Sequence, residues 1–108
     1  MLSIAICDDE EYFRTTEKKL ISKYMAGKNC ECMIDMYESG KELLALRSAI
    51  SQYNIIFLDV NMEEIDGIET AKEIRKISKD VFIVFVTAFI TYALEGYKVD
   101  AVRYLIKD

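Results

Sequence analysis

The 108-residue chain contains no proline and no histidine, only four glycines and three cysteines. A zinc site usually needs four sulfur or nitrogen ligands, which Cys30 and Cys32 cannot supply alone. Cys7 falls in an apolar run, where a free thiol behaves as a small hydrophobe, and the odd count argues against a disulfide framework. All three cysteines therefore read as structural. Basic residues are the minority, 14 against 19 acids, for a net charge of −5. That balance repels a phosphate backbone, so direct nucleic-acid binding by this segment is not expected. No apolar stretch approaches the roughly 18 residues of a membrane span. The apolar start, Met1 to Cys7, is too short for a secretory signal and has no basic flank. The reading is a cytoplasmic chain with no membrane partner. There is no repeat and no low-complexity linker, and the length fits one domain with one ordinary core.

What the chain does have is a set of short apolar runs rich in β-branched and aromatic residues. Four of them, Ser3 to Cys7, Ile55 to Leu58, Val81 to Val86 and Ala101 to Ile106, lack polar alternation, which suits strands covered on both faces. A further strand is expected at about Glu31 to Tyr37. Between these runs lie amphipathic segments: Tyr12 to Met25, where Phe13, Leu20, Ile21 and Tyr24 can share a face; a segment opened by Ser39 as N-cap with Glu42 three residues on and continuing through Leu43, Leu44, Leu46 and Ile50; one following Gly67 through Ile68, Ala71, Ile74 and Ile77; and one at about Phe89 to Gly96. Alternating strands and helices predict an α/β fold, a parallel sheet flanked by helices. The last expected strand is followed only by Lys107 and Asp108. A doubly wound sheet would carry one more helix on the side of the first, so the expectation is a chain cut after strand five, with bare apolar surface on that side.

In open α/β sheets ligands bind beyond the carboxyl ends of the strands. Asp8 and Asp9 end the first apolar run, Asp59 the third expected strand, Thr87 the fourth and Lys107 the fifth. Adjacent acids before a helix are often no more than charges favoured by its dipole, and Asp8 through Glu11 precede one. Taken alone, Thr87 would be an ordinary β-branched strand residue and Tyr104 a core aromatic. The apolar stripe Phe89, Ile90, Ala93, Leu94 and Tyr97 reads as packing more readily than as a partner surface. The functional reading gains its weight from convergence on one sheet edge.

These residues carry a resemblance. Asp8-Asp9 after strand one, Asp59-Val-Asn-Met62 with Asp66-Gly67, Thr87-Ala88 after strand four and Tyr104-Leu-Ile-Lys107 together resemble the receiver domain of a two-component response regulator, over nearly the whole chain. The stretch from Thr87 to Lys107 is similar to receivers that precede LytTR-type DNA-binding domains. The resemblance implies a flavodoxin-like, doubly wound five-stranded parallel sheet of order 2-1-3-4-5. It implies a sensor histidine kinase as phosphodonor and an output domain, outside this chain, through which alone DNA would be met. It further implies that Asp9 binds Mg²⁺ directly, Asp8 through water or as a weaker partner, and Asn61 through its backbone carbonyl. Tyr104 would change rotamer as Thr87 moves. Helix four and strand five would then form a switching surface, with a possible homodimer through it. Asn61 and Phe89 resemble positions that tune the lifetime of the phosphoryl group, with bulky Phe89 shielding it from water.

The chemistry is consistent with that. Mg²⁺ prefers six oxygen ligands but keeps several waters, so one or two carboxylates plus a phosphate hold it. Asp8, Asp9 and Asp59 can supply them, and a divalent cation relieves their mutual repulsion while polarising a phosphoryl oxygen. Asp59 is the expected nucleophile, giving an aspartyl phosphate. Lys107, the only base at an expected strand end, would pair with the phosphate, and the Thr87 hydroxyl would donate to it. The chain is thus expected to be a phosphoacceptor, not a turnover enzyme. Two other classes compete. A phosphatase of the haloacid dehalogenase type wants a second acid two residues after its nucleophile, where this chain has Asn61, which cannot donate a catalytic proton. A pseudo-receiver that works only by protein contacts would not need the acids, the threonine and the lysine together. Two positions depart from the usual receiver pattern: Glu63 and Asp108 stand where proline is common. A cis bond before a residue other than proline costs about 2.5 to 4 kcal/mol, so the Lys107-Asp108 peptide is either trans or offset by packing.

Overall fold

The computed structural model describes residues 1–87, with Thr87 as backbone, and the backbone of 103–106. The element order is β1 (Leu2–Cys7), α1 (Glu11–Gly27), β2 (Cys32–Tyr37), α2 (Gly40–Leu44), a 3-10 segment (Arg47–Gln52), β3 (Ile55–Asp59), α3 (Gly67–Ile77), β4 (Phe82–Thr87) and β5 (Arg103–Ile106). The strands form one parallel sheet in the order β2-β1-β3-β4-β5, as the resemblance implied. The expected helix at Phe89 to Gly96 lies outside the described residues.

The two faces of the sheet are covered unequally. Ala5, Cys7, Ile56, Leu58, Ile83 and Phe85 point one way and pack against Leu43, Ile50, Ile68, Ala71 and Ile74 into a core that excludes water almost entirely. α3 reaches that core because its apolar residues recur at helical spacing, and because Asp66 caps it by accepting the Glu69 N–H at 2.9 Å. The opposite face meets α1, which covers it incompletely. No residue of α1 is fully buried, and Leu20 and Tyr24, expected to share a face, line one groove but stay exposed. A stripe of apolar residues at helical spacing fixes which side of a helix is apolar, not how much of that side a neighbour covers. With Ile21 and Met25 these residues border an open apolar groove of about 400 Å³, lined on the sheet side by Ile4, Ile55 and Phe57.

One sequence expectation is corrected in the segment after Ser39. Ser39 does cap α2, its Oγ accepting the Glu42 N–H at 3.0 Å. The helix does not run on to Ile50, however. It ends at Leu44, and Arg47, the first residue of the 3-10 segment, takes a left-handed φ of 52°. Leu43 and Ile50 both reach the core, so the apolar spacing is satisfied by two short pieces instead of one helix.

The amino ends of three strands are tied together by Asn54. Its side-chain oxygen accepts from the Ser3 N–H at 2.8 Å, its own N–H donates to the Ser3 carbonyl at 2.8 Å, and its carbonyl accepts from the Phe82 N–H at 2.9 Å. Beside it Tyr53 is buried, its hydroxyl donating to Asp35 at 2.6 Å and sharing a hydrogen bond with the Tyr37 hydroxyl. Burial, then the bond to Asp35, pushes the Tyr53 phenol well above its ordinary range.

A candidate cation and phosphoacceptor site at the carboxyl edge of the sheet

β1 and β3 lie side by side, with Cys7 opposite Leu58, so the residues that follow them emerge together. One carboxylate oxygen from each of Asp8, Asp9 and Asp59 lies within 4.8 Å of the others. Asp8 is 0% and Asp59 2% exposed, whereas Asp9 is open to solvent. A cavity of about 490 Å³ opens beside Asp9, walled by Asp9, Glu10, Asn61, Met62 and Glu63. The three acids singled out from the sequence thus meet, and Asn61 stands at the same mouth.

Each acid is placed by local backbone. Asp8 Oδ1 accepts the Glu10 N–H at 2.9 Å, so it fixes the turn that starts α1 as well as facing the cluster. The Asp8 N–H donates to the Tyr37 carbonyl at 3.1 Å, continuing the β1–β2 pairing one residue past the strand. Asp9 Oδ2 accepts the Glu63 N–H at 3.3 Å, a bond from the loop after β3. Asp59 is the last residue of β3, opposite Val86 of β4. The turn after it is drawn tight by the Gly67 N–H, which donates to the Val60 carbonyl at 2.8 Å. A Cβ on Gly67 would stand 2.1 Å from the Asp59 carbonyl oxygen, so only glycine lets the start of α3 lie against the candidate nucleophile's backbone.

The edge is strongly electronegative. Burial, followed by the charges of Asp8 and Asp59, pushes the neighbouring Cys7 thiol well above the usual thiol range. Cys7 is therefore a protonated packing residue, its Sγ 3.8 Å from the sulfur of Met62. Three hard oxygen donors at this spacing, in a pocket open on one side, fit a divalent cation such as Mg²⁺ that keeps part of its water shell.

One charged partner was not read from the sequence. Arg14 of α1 is nearly buried, with 11% of its side chain exposed; Nη1 donates to the Asp8 carbonyl at 2.8 Å and Nη2 lies 3.7 Å from Glu38 Oε1. A cation in the first turn of a helix opposes the helix dipole, and that mismatch is the signal that it has a tertiary partner.

The register brings Thr87 opposite Ile106, the residue before Lys107, so the ends of β4 and β5 meet the same edge. The Thr87 hydroxyl, the Tyr104 phenol, Phe89, Lys107 and the Lys107-Asp108 peptide lie outside the described residues.

Comparison with known proteins decides the class, because the response regulator receiver domain family matches residues 4–108. The chain belongs to that family. Receivers of this family bind Mg²⁺ at an acidic pocket and act as signalling domains, not as conventional turnover enzymes. Among its relatives, the sensory transduction protein LytT of Oceanobacillus iheyensis is 34% identical over 98% of this chain and 42% of its own length. The transcriptional regulatory protein LytR of Staphylococcus aureus strain N315 is 32% identical over 94% of this chain and 39% of its own length. The receiver thus spans about two fifths of these curated relatives. Among solved structures, the response regulator TrrA of Thermotoga maritima in complex with Mg²⁺ and BeF superposes with a TM-score of 0.82 at 33% identity, covering 100% of this chain and 88% of that one. The chemotaxis protein CheY4 of Vibrio cholerae superposes with a TM-score of 0.74 at 25% identity, covering 99% and 87% respectively. Among the described residues no helix is long and apolar enough to cross a membrane.

Proposed function

We propose that this receiver takes a phosphoryl group from a sensor histidine kinase onto Asp59, with Mg²⁺ held by Asp8, Asp9, Asp59 and the Asn61 carbonyl, and so controls an output domain outside the chain, of the LytTR DNA-binding type. The observation that carries the reading is the meeting of three carboxylates within 4.8 Å at the carboxyl edge, in a chain of the receiver family. When bound, Mg²⁺ offsets the acids' repulsion and polarises the phosphoryl oxygens.

The residues of the chain divide the rest of the work. An Asp59 carboxylate oxygen attacks phosphorus; an O–P bond forms as the bond to the donor breaks, and the donor nitrogen keeps that electron pair. Asp9, open to solvent, and Asp8, buried and fixed by the Glu10 amide, differ in access, which supports a direct role for the first and a weaker one for the second. Lys107 and Thr87 follow two adjacent strand ends and would hold the phosphoryl oxygens that face away from the acids. The added dianion draws Thr87 inward, Tyr104 follows, and the surface of helix four and strand five changes, a face through which two copies could pair. Phe89 and Asn61 would set how long the phosphoryl group survives. The protein would act in the cytoplasm.

The test is incubation with Mg²⁺ and acetyl phosphate, read by intact mass. A single phosphoryl adduct on the parent and none on Asp59→Asn is the expected result. No adduct on the parent, or an adduct that persists in Asp59→Asn, overturns the reading. Steady turnover of small phosphomonoesters would favour a phosphatase instead.

A further inference from the structure

The loop between β3 and α3 walls the acidic pocket with Asn61, Met62 and Glu63, and Glu63 is the acid among them. Its N–H donates to Asp9 Oδ2 at 3.3 Å, its residue walls the cavity together with Asp9, Glu10 and Asn61, and it is exposed. The next residue, Glu64, does not wall the cavity; it adopts a left-handed φ of 63° and its carboxylate lies 3.8 Å from Lys41 Nζ. The two glutamates are one residue apart in sequence yet face different neighbours. One donates its amide to a site acid, and the other has its carboxylate near Lys41.

We propose that Glu63 is a positioning residue for the divalent cation: its amide holds the Asp9 carboxylate from the loop side, and its own carboxylate adds negative charge at the mouth of the pocket, so that the protein binds Mg²⁺ more tightly than it would with a neutral residue there. This rests on the reading of Asp8, Asp9 and Asp59 as the cation site. The amide bond fixes one oxygen of Asp9 and anchors the loop beside it, which keeps the Glu63 side chain near the mouth. A carboxylate there acts on a divalent charge through space, screened by water but not removed by it. Because the contribution is electrostatic and exposed, it weakens as salt rises.

The experiment is titration of the protein with MgCl₂ by calorimetry, at low and at high ionic strength, for the parent and for Glu63→Gln, Glu63→Asp, Glu64→Gln and Asp59→Asn. Glu63→Gln keeps the amide donor and removes only the charge. Its Mg²⁺ affinity is expected to fall about threefold to tenfold at low salt, with the difference shrinking at high salt and Glu63→Asp restoring most of it. Glu64→Gln should stay close to the parent. If Glu63→Gln binds Mg²⁺ as the parent does while Asp59→Asn does not, the inference about Glu63 is wrong and the cation site stands. If Glu63→Gln and Glu64→Gln lose affinity equally, net charge and not position is responsible, and the inference again fails. If the parent itself does not bind Mg²⁺, both the inference and the cation site are overturned.

Discussion

The two edges of this sheet are closed by opposite means. At the amino edge, Asn54 joins β1, β3 and β4 with one uncharged side chain and its own backbone, and Tyr53 beside it donates its hydroxyl to Asp35. At the carboxyl edge, the same strands run out into Asp8, Asp9 and Asp59, three acids within 4.8 Å. A parallel sheet of this kind can evidently be finished without gathering like charges. The acids therefore cost stability that the amino edge does not spend, which is the mark of a site kept for binding.

That contrast can be broken or sharpened at four places. The largest effect is expected from Gly67→Ala, which forces a methyl group against the Asp59 carbonyl. It should cost about 3 kcal/mol in urea unfolding, and any folded fraction should bind Mg²⁺ poorly, because the Asp59 backbone must shift. Arg14→Gln comes next. It removes the guanidinium from the Asp8 carbonyl and from Glu38, for a loss of about 2 kcal/mol together with weaker Mg²⁺ binding. Asn54→Ala at the opposite edge should cost about 1.5 kcal/mol and leave Mg²⁺ affinity as it was. A parallel loss of affinity there would show that the two edges are coupled and the contrast is false.

The smallest effect is that of Tyr53→Phe, about 1 kcal/mol at neutral pH, with a distinct pH signature. The folded phenol titrates above its ordinary value, whereas the unfolded one ionises near pH 10. Its stabilising contribution is therefore complete below about pH 10. It is lost as pH rises further, by up to about 1.4 kcal/mol per pH unit. Unfolding curves from pH 8 to 11 should show this decline in the parent and a flatter one in Tyr53→Phe.

The strands and the acids at their ends were legible because their signals are local: an unbroken apolar run, then a carboxylate. The cap at Ser39 was equally open to reading, followed three residues later by the Glu42 amide it accepts, and Asp66 caps α3 by the same pattern. The break after Leu44 was not, since apolar residues spaced for an α-helix also satisfy a helix followed by a 3-10 segment, and the left-handed turn at Arg47 leaves no compositional trace. Nor was the exposure of Leu20 and Tyr24, which depends on how far a neighbouring element extends. Within the site, the contacts that escaped were those made by backbone atoms. Arg14 reaches a carbonyl six residues away and Glu63 lends an amide to an acid 54 residues away, and neither atom carries residue identity.

The joint at Gly67 also tells a protein engineer where a reporter can be spliced. The turn that follows α1 is roomy: a Cβ on Gly27 would meet nothing within 4 Å, and Asn29 already bends back with a φ of 53° in a fully exposed stretch. A fluorescent insert belongs there. Placed between Val60 and Gly67 it would pry apart the 2.8 Å bond that draws the start of α3 against the end of β3, and with it the candidate site the sensor was built to follow.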